Sequence, residues 1–142
     1  MLFRSGAPIR ILAAVVRDLR QEGEALAVVG LMKPSLHFYA GSTVLYEGRS
    51  ASALRNLADR LSHETRPGLR PSAPERQPTT LLVIDSRTLR QPHWQGLRGE
   101  QLAVAEPYRL LRLDRNWLER RARQLAAAGV DTNWRQPRPE RY

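Results

Sequence analysis

Two polar side chains, Lys33 and Ser35, follow an apolar run at the point where the chain is predicted to turn into a helix. The run is Ala-Leu-Ala-Val-Val-Gly over residues 25–30, and Pro34 suits the first turn of the helix. Free backbone N–H groups, a hydroxyl and an ammonium group at such a turn could bind an anion together. The same residues also make an ordinary helix start, so both interpretations stay open.

A second candidate position comes directly after another apolar run, residues 80–84. Asp85 and Ser86 follow this run, and the carboxyl ends of parallel strands meet at one edge of a sheet. Asp85 would then share an edge with Lys33, where a small enzyme could act on an anionic metabolite. An aspartate in this position is equally typical of a helix N-cap, so no catalytic pair is assigned.

The sequence contains no typical metal-binding spacing and no glycine-rich nucleotide-binding loop. His37, His63 and His93 lie far apart, none has a second ligand at i+3 or i+4, and the chain has no cysteine. Gly30 is followed by Leu-Met-Lys-Pro-Ser, which fits neither a Walker loop nor Gly-x-Gly-x-x-Gly. The sequence therefore predicts no metal site and no cofactor, and His37 is interpreted as a packed or solvated residue rather than a proton-transfer group.

The charge of the chain favours contact with an anion. The formal net charge is +9, and Lys33 is the only lysine, so arginine supplies nearly all of the positive charge. Such a balance suits nucleic acid, anionic lipid headgroups or phosphorylated substrates, although a GC-rich genome alone would also produce many arginines.

Many of the arginines lie in the last third of the chain, where Tyr108 and Trp117 are interleaved with them. They are Arg109, Arg112, Arg115, Arg120, Arg121 and Arg123. This pattern could form a nucleic-acid face, but no standard RNA or DNA motif accompanies it. Arginines opposite an apolar helix stripe are more typical of a solvated surface, and the sequence argues against nucleic acid as the partner.

Hydrophobic periodicity predicts the elements that position these residues. Helices are expected over residues 9–19, 34–39, from Ser50 to 61, weakly over 87–94 where Pro92 interrupts, and from Asn116 to Gly129 with Asn116 as N-cap. Strands are expected over residues 25–30, 43–46, 80–84, 101–105 and 108–113. This alternation predicts an α/β fold with a small, mostly parallel sheet flanked by helices, and an antiparallel edge hairpin from the last two strands.

The length of 142 residues and the 42% hydrophobic content predict a single α/β domain. Residues 65–79 contain four prolines and are expected to form a loop, not a domain boundary. Residues 130–142 are expected to be a flexible basic tail, unless Trp134 docks it. No apolar run is long enough to span a bilayer.

The block Val28 to Tyr46, VVGLMKPSLHFYAGSTVLY, resembles the soluble C-terminal domain of membrane glycosyltransferases related to aminoarabinose transferase and the protein O-mannosyltransferases. Lys33-Pro34-Ser35-Leu36 with Phe38-Tyr39 carries the resemblance, and the order of elements up to Ile84 follows it. The Pro-rich loop and the arginine-rich end match no motif of that family.

The resemblance implies a non-catalytic accessory domain on the extracytoplasmic face of a bacterial membrane. Its partners would be the transmembrane portion of the parent transferase, which uses a polyprenyl-phosphate-linked sugar, and anionic lipid headgroups or a lipid phosphate. Arginines near such headgroups contribute about 1 kcal/mol each. Lys33, Ser35, Tyr39 and Asp85 are the candidate substrate- or anion-binding residues, and the domain alone is not expected to transfer sugar. A stand-alone basic protein that binds RNA or another polyanion is the alternative.

Overall fold

The structure, a computed structural model, describes residues 7–21, 23–30, 44–64 and 78–137. Its helices are α1 (Ala7–Leu19), α2 (Ala51–Glu64), α3 (Ser86–Leu89) and α4 (Arg115–Ala127), with a 3₁₀ turn at Pro92–Trp94. Its strands are β1 (Leu26–Val29), β2 (Val44–Glu47), β3 (Thr79–Asp85), β4 (Gly99–Ala105) and β5 (Tyr108–Asp114). The helix predicted over 34–39, most of the Pro-rich loop and the end of the tail lie outside the described residues. None of the described helices has both the length and the apolar character that a membrane crossing requires.

The strands form one mixed sheet in the order β2-β1-β3-β5-β4. The strands β2, β1 and β3 are parallel to one another, β5 is antiparallel to β3, and β4 pairs with β5 as an edge hairpin. The predicted α/β class with flanking helices is confirmed. Parallel pairing is confined to the half of the sheet built from β1, β2 and β3.

Both faces of the sheet are covered, which explains why β1 is a continuous apolar run. Successive strand residues point to opposite faces, so Ala27 and Val29 pack towards α2 and α4, while Leu26 and Val28 pack towards α1. On the α2–α4 face, buried Trp94 stacks against Trp117 with ring centroids 6.0 Å apart.

Two predicted element boundaries need correction. The N-cap of α4 is Asp114, whose carboxylate accepts a hydrogen bond from the backbone N–H of Asn116 at 2.9 Å, so Asn116 is not the cap. The reason is that β5 runs directly into α4, and its last residue already carries a capping carboxylate. Thr79, predicted to end the loop, belongs to β3. The predicted cap of α2 is confirmed, because the Ser50 hydroxyl accepts from the N–H of Ala53.

The segment after α4 lies against α2 as far as the structure describes it. The indole N–H of Trp134 donates to a carboxylate oxygen of Asp59 at 2.6 Å, and Asn133 and Asn56 exchange two hydrogen bonds of 2.6 and 2.7 Å. The backbone carbonyl of Val130 accepts from the guanidinium of Arg55. Val130, Asn133 and Trp134 therefore all contact α2.

A candidate anion-binding cleft at the carboxyl edge of the sheet

The carboxyl ends of the three parallel strands meet at one edge. Val29 of β1 lies opposite Glu47 of β2 and Ile84 of β3, so the residues that follow these strands are neighbours. After β1 and β3 the sheet extends in opposite directions, towards β2 on one side and towards β5 on the other. Such a switch point is where open α/β sheets most often bind ligands.

The approach of β1 to β3 at this edge requires a glycine. Gly30 has φ +119°, and a Cβ at this position would lie 1.9 Å from Oδ1 of Asp85. Its N–H donates to the carbonyl of Glu47 at 3.0 Å, which fixes the end of β1 against β2 as well. The ends of β1 and β3 therefore lie at the same edge of the sheet, as the sequence predicted.

Asp85 is the N-cap of α3. Its carboxylate accepts hydrogen bonds from the backbone N–H of Thr88 at 3.4 Å and from the Thr88 hydroxyl at 2.5 Å, and the residue is 7% exposed. Of the two interpretations that the sequence left open, the capping role is the one with visible contacts. The carboxylate still borders the cleft described next.

A cleft of about 370 Å³ opens at this edge. Its walls come from the loop after β2, the residues that follow β3, and the β4–β5 turn with the start of β5. The lining residues are Arg49, Asp85, Ser86, Arg87, Arg90, Pro107 and Tyr108. Tyr108 reaches the cleft because it pairs directly opposite Asp85 in the antiparallel register of β3 and β5.

Local structure directs the arginines of the cleft. Arg87 lies in α3 and Arg90 is its C-cap, and residues three apart lie on the same side of a helical turn. Arg49 is held through its backbone carbonyl, to which Nε2 of His93 is hydrogen-bonded at 2.8 Å. Arg121 of α4 in turn donates to the carbonyl of His93 at 2.7 Å. The 3₁₀ turn and α4 therefore hold the backbone of Arg49, while Arg87 and Arg90 both lie at α3.

The pKa of His93 is lowered mainly by burial and also by the charge of Arg121, although the hydrogen bond to Arg49 raises it. Lowering the pKa keeps the imidazole neutral at pH 7. A neutral imidazole with its proton on Nε2 donates to the carbonyl of Arg49, and this contact holds the loop after β2 in place.

The cleft carries a net positive charge. Its described lining residues include three guanidinium groups and one carboxylate, which is a formal charge of +2. None of Arg49, Arg87 and Arg90 forms an ion pair with another residue in the described part of the chain. Burial, together with the neighbouring charge of Asp85, raises the pKa of Tyr108. The phenol is therefore protonated at neutral pH and can donate a hydrogen bond.

These groups are suited to binding an anion rather than to moving a proton. Arginine stays protonated at neutral pH and presents several N–H donors, and it pairs with phosphate in a bidentate manner. The one carboxylate among the described lining residues, Asp85, accepts hydrogen bonds from Thr88. Among the described residues, no three His, Asp or Glu side chains are grouped so that they could hold a metal ion.

The arginines of the last third do not form one surface. Arg112 reaches the buried carboxylate of Glu24 at 2.9 Å, and Arg115 is 2% exposed and donates to the carbonyl of Leu61. Arg121 lies 5.0 Å from the ring centroid of Trp117, between the helix and the 3₁₀ turn. Several of the residues that would make a nucleic-acid face are thus engaged inside the fold.

Sequence reasoning identified the edge but missed most of the residues that line it. Lys33, Ser35 and Tyr39 lie outside the described residues, and Asp85 borders the cleft. Arg49, Arg87, Arg90 and Tyr108 were not singled out as a group. A usable pattern was present, because a cation follows the second strand within two residues and two more follow the third at helical spacing.

Comparison with known proteins gives one family. No curated protein and no solved structure matches the chain. Residues 19–129, well over half of the chain, match the family described as Cyanobacterial RgtA-type glycosyltransferase, C-terminal domain. The chain therefore belongs to this family of glycosyltransferase C-terminal domains.

Proposed function

We propose that this domain is a non-catalytic, extracytoplasmic accessory domain of a membrane glycosyltransferase that uses a polyprenyl-phosphate-linked sugar as donor. Membership in a family of glycosyltransferase C-terminal domains supports the assignment to a transferase. The resemblance of Val28 to Tyr46 to the corresponding region of lipid-linked sugar transferases supports the donor class.

The observation that carries the non-catalytic role is the state of Asp85. Activation of a sugar acceptor needs a general base whose oxygen can reach the acceptor hydroxyl. Among the described lining residues the only carboxylate is Asp85, which is 7% exposed, caps α3 and accepts two hydrogen bonds from Thr88, while the other charged groups are arginines. The cleft can hold and orient an anionic group, and the chemistry then belongs to another part of the parent protein.

The partners in this proposal are the transmembrane portion of the parent transferase and the anionic surface of the membrane. A net charge of +9 favours the approach to anionic headgroups, which adds about 1 kcal/mol per arginine near the surface. Lys33, Ser35 and Tyr39 remain candidates for the functional edge. Three residues of chain span at most about 11 Å, and Gly30, the last described residue before Lys33, adjoins Asp85.

The alternative, a basic protein that binds RNA or another polyanion, has less support. Its binding face would need the arginines after residue 108, and Arg112 and Arg115 are engaged with Glu24 and Leu61. Competition between anionic vesicles and a charge-matched RNA separates the two functions. Tight, salt-sensitive RNA binding without vesicle association would favour the alternative.

The catalytic question is tested in the intact transferase with Asp85→Asn and Thr88→Val. Both substitutions weaken the same capping contacts, but only the first removes the carboxylate. We expect sugar transfer to fall by less than about tenfold in both, with similar losses of thermal stability of about 1 kcal/mol. Loss of a catalytic base costs about 10²–10⁴ in rate. A loss of that size in Asp85→Asn with near-normal transfer in Thr88→Val would refute the non-catalytic role.

A further inference from the structure

We propose that the cleft formed by Arg49, Ser86, Arg87, Arg90 and Tyr108 is a binding site for a terminal phosphate group. The ligand is a phosphate monoester or inorganic phosphate, and the site recognises the phosphate itself. This inference rests on the proposed function only where it considers a membrane lipid, besides free phosphate, as the source of the phosphate group.

The charge of the cleft matches this ligand. A phosphate monoester carries about −1.5 to −2 charges at pH 7, and the cleft has a formal charge of +2 from three arginines and Asp85. A phosphodiester, with a single negative charge, would leave the cleft positive. Guanidinium groups also match the tetrahedral phosphate oxygens with paired N–H donors.

The three arginines are available for a ligand. Each of them lines the cleft, and none is paired with a carboxylate in the part of the chain that the structure describes. Other arginines of the same chain are placed differently: Arg60 is 2.6 Å from Glu47 and Arg112 is 2.9 Å from Glu24. Three guanidinium groups that line one concave surface, offset there by the single carboxylate of Asp85, favour the binding of an anion.

The phenol of Tyr108 adds an uncharged hydrogen-bond donor to the cleft. Burial raises the pKa of Tyr108, so its phenol is a hydrogen-bond donor over the whole neutral range. The hydroxyl of Ser86 donates to the carbonyl of Pro107 at 3.1 Å, which fixes the β4–β5 turn against α3. Ser86 therefore holds the two walls of the cleft together, and its single O–H is used in this contact rather than donated to the ligand.

Inorganic phosphate is the first probe, titrated into the 142-residue chain and followed by calorimetry and by NMR of the backbone amides. We expect millimolar or tighter binding, with shifts at residues 85–90 and 107–109. The double variant Arg87→Gln/Arg90→Gln should weaken binding at least tenfold. Arg120→Gln/Arg123→Gln is the matched control, because it removes the same charge from two exposed residues of α4 and should change affinity less than twofold.

A second variant protects the test against misfolding. Tyr108→Phe keeps the ring in place and removes only the phenol donor, and we expect a threefold to tenfold loss of phosphate affinity. Equal weakening by the cleft and α4 double variants would show binding by net charge and would overturn the proposal. The proposal would also be overturned if the unsubstituted chain bound no phosphate at a phosphate concentration on the order of 10 mM.

The source of the phosphate is separated with vesicles of two compositions at equal surface charge. Phosphatidic acid presents a terminal phosphate, whereas phosphatidylglycerol presents a phosphodiester. Preference for phosphatidic acid that is lost in Arg87→Gln/Arg90→Gln identifies a lipid phosphate, and binding of inorganic phosphate alone identifies a free one. The comparison of Asp85→Asn with Thr88→Val does not depend on phosphate binding. The phosphate site and the non-catalytic role are therefore tested independently.

Discussion

At the scale of single residues, the cleft depends on the contact between Gly30 and Asp85. The positive φ of Gly30 excludes most side chains, and the space that a Cβ would need is taken by the Asp85 carboxylate. The positive φ and the contact with Asp85 therefore both restrict position 30 to glycine, at the edge where β1 and β3 end.

We expect Gly30→Ala to lower the free energy of unfolding by about 3 kcal/mol, because it combines backbone strain with a steric clash. Gly129→Ala is the control, since Gly129 also has a positive φ of +94° but has no heavy atom within 4 Å of the added Cβ. That variant should lose only about 1 kcal/mol. Urea denaturation of both proteins measures the difference, and equal losses would show that the contact with Asp85 is unimportant.

At the scale of elements, a buried ion pair joins the start of β1 to β3 and β5. Glu24 is 0% exposed, and its carboxylate accepts from the guanidinium of Arg112 at 2.9 and 3.2 Å and from the hydroxyl of Thr79 at 2.8 Å. Burial acts to raise the pKa of Glu24, but the hydrogen bonds from Arg112, Gln21 and Thr79 and the charge of Arg112 outweigh it. The net pKa lies below the ordinary value of 4.5.

This lowered pKa predicts a specific pH dependence of stability. A carboxyl group whose pKa is lower in the folded protein than in the unfolded chain stabilises the fold at pH values above the unfolded-state pKa. This stabilisation is lost as the pH falls through the folded-state pKa. Glu24→Gln should therefore cost about 3 kcal/mol at pH 7, and the gap to the unsubstituted protein should narrow as the pH falls below 4.5. Glu106→Gln, at a side chain that is 70% exposed, should stay within about 0.5 kcal/mol. A gap that is constant from pH 7 to pH 3, measured by denaturant unfolding, would contradict the role of the Glu24 charge.

At the scale of the whole molecule, the helices cover both faces of the sheet and leave a concave surface at its carboxyl edge. The cleft at this edge carries net positive charge, and other described arginines are spread over α1, α2, β5 and α4. A protein of this shape is expected to present one edge, rather than a broad face, to its anionic partner.

The proposed extracytoplasmic location is tested with an introduced thiol, because the chain has no cysteine of its own. Gln124 is exposed on α4, and Gln124→Cys in the parent transferase should react with a membrane-impermeant maleimide in intact cells. Labelling that appears only after lysis would place the domain on the cytoplasmic side. The unsubstituted parent protein sets the background from cysteines elsewhere.

Local sequence patterns determined most of the elements. Continuous apolar runs marked β1 and β3 as strands buried on both faces, and helical spacing after Ser50 marked α2 together with its cap. These properties depend on residues within one or two turns of each other, so a single sequence contains them. The α4 cap was missed because Asp114 and Asn116 are both competent caps, and only the end of β5 selects between them.

The candidate cleft depends instead on strand order, which no local pattern specifies. The sequence indicated that Asp85 and the end of β1 share an edge, because parallel strands impose this. It did not indicate that β5 returns beside β3 and places Tyr108 opposite Asp85, or that His93 and Arg121 hold the loop of Arg49. Pairing between distant strands is decided by the packing of the complete sheet against its helices. Only the tertiary structure brings Arg49, from the loop after β2, to the same site as Arg87 and Arg90 at α3.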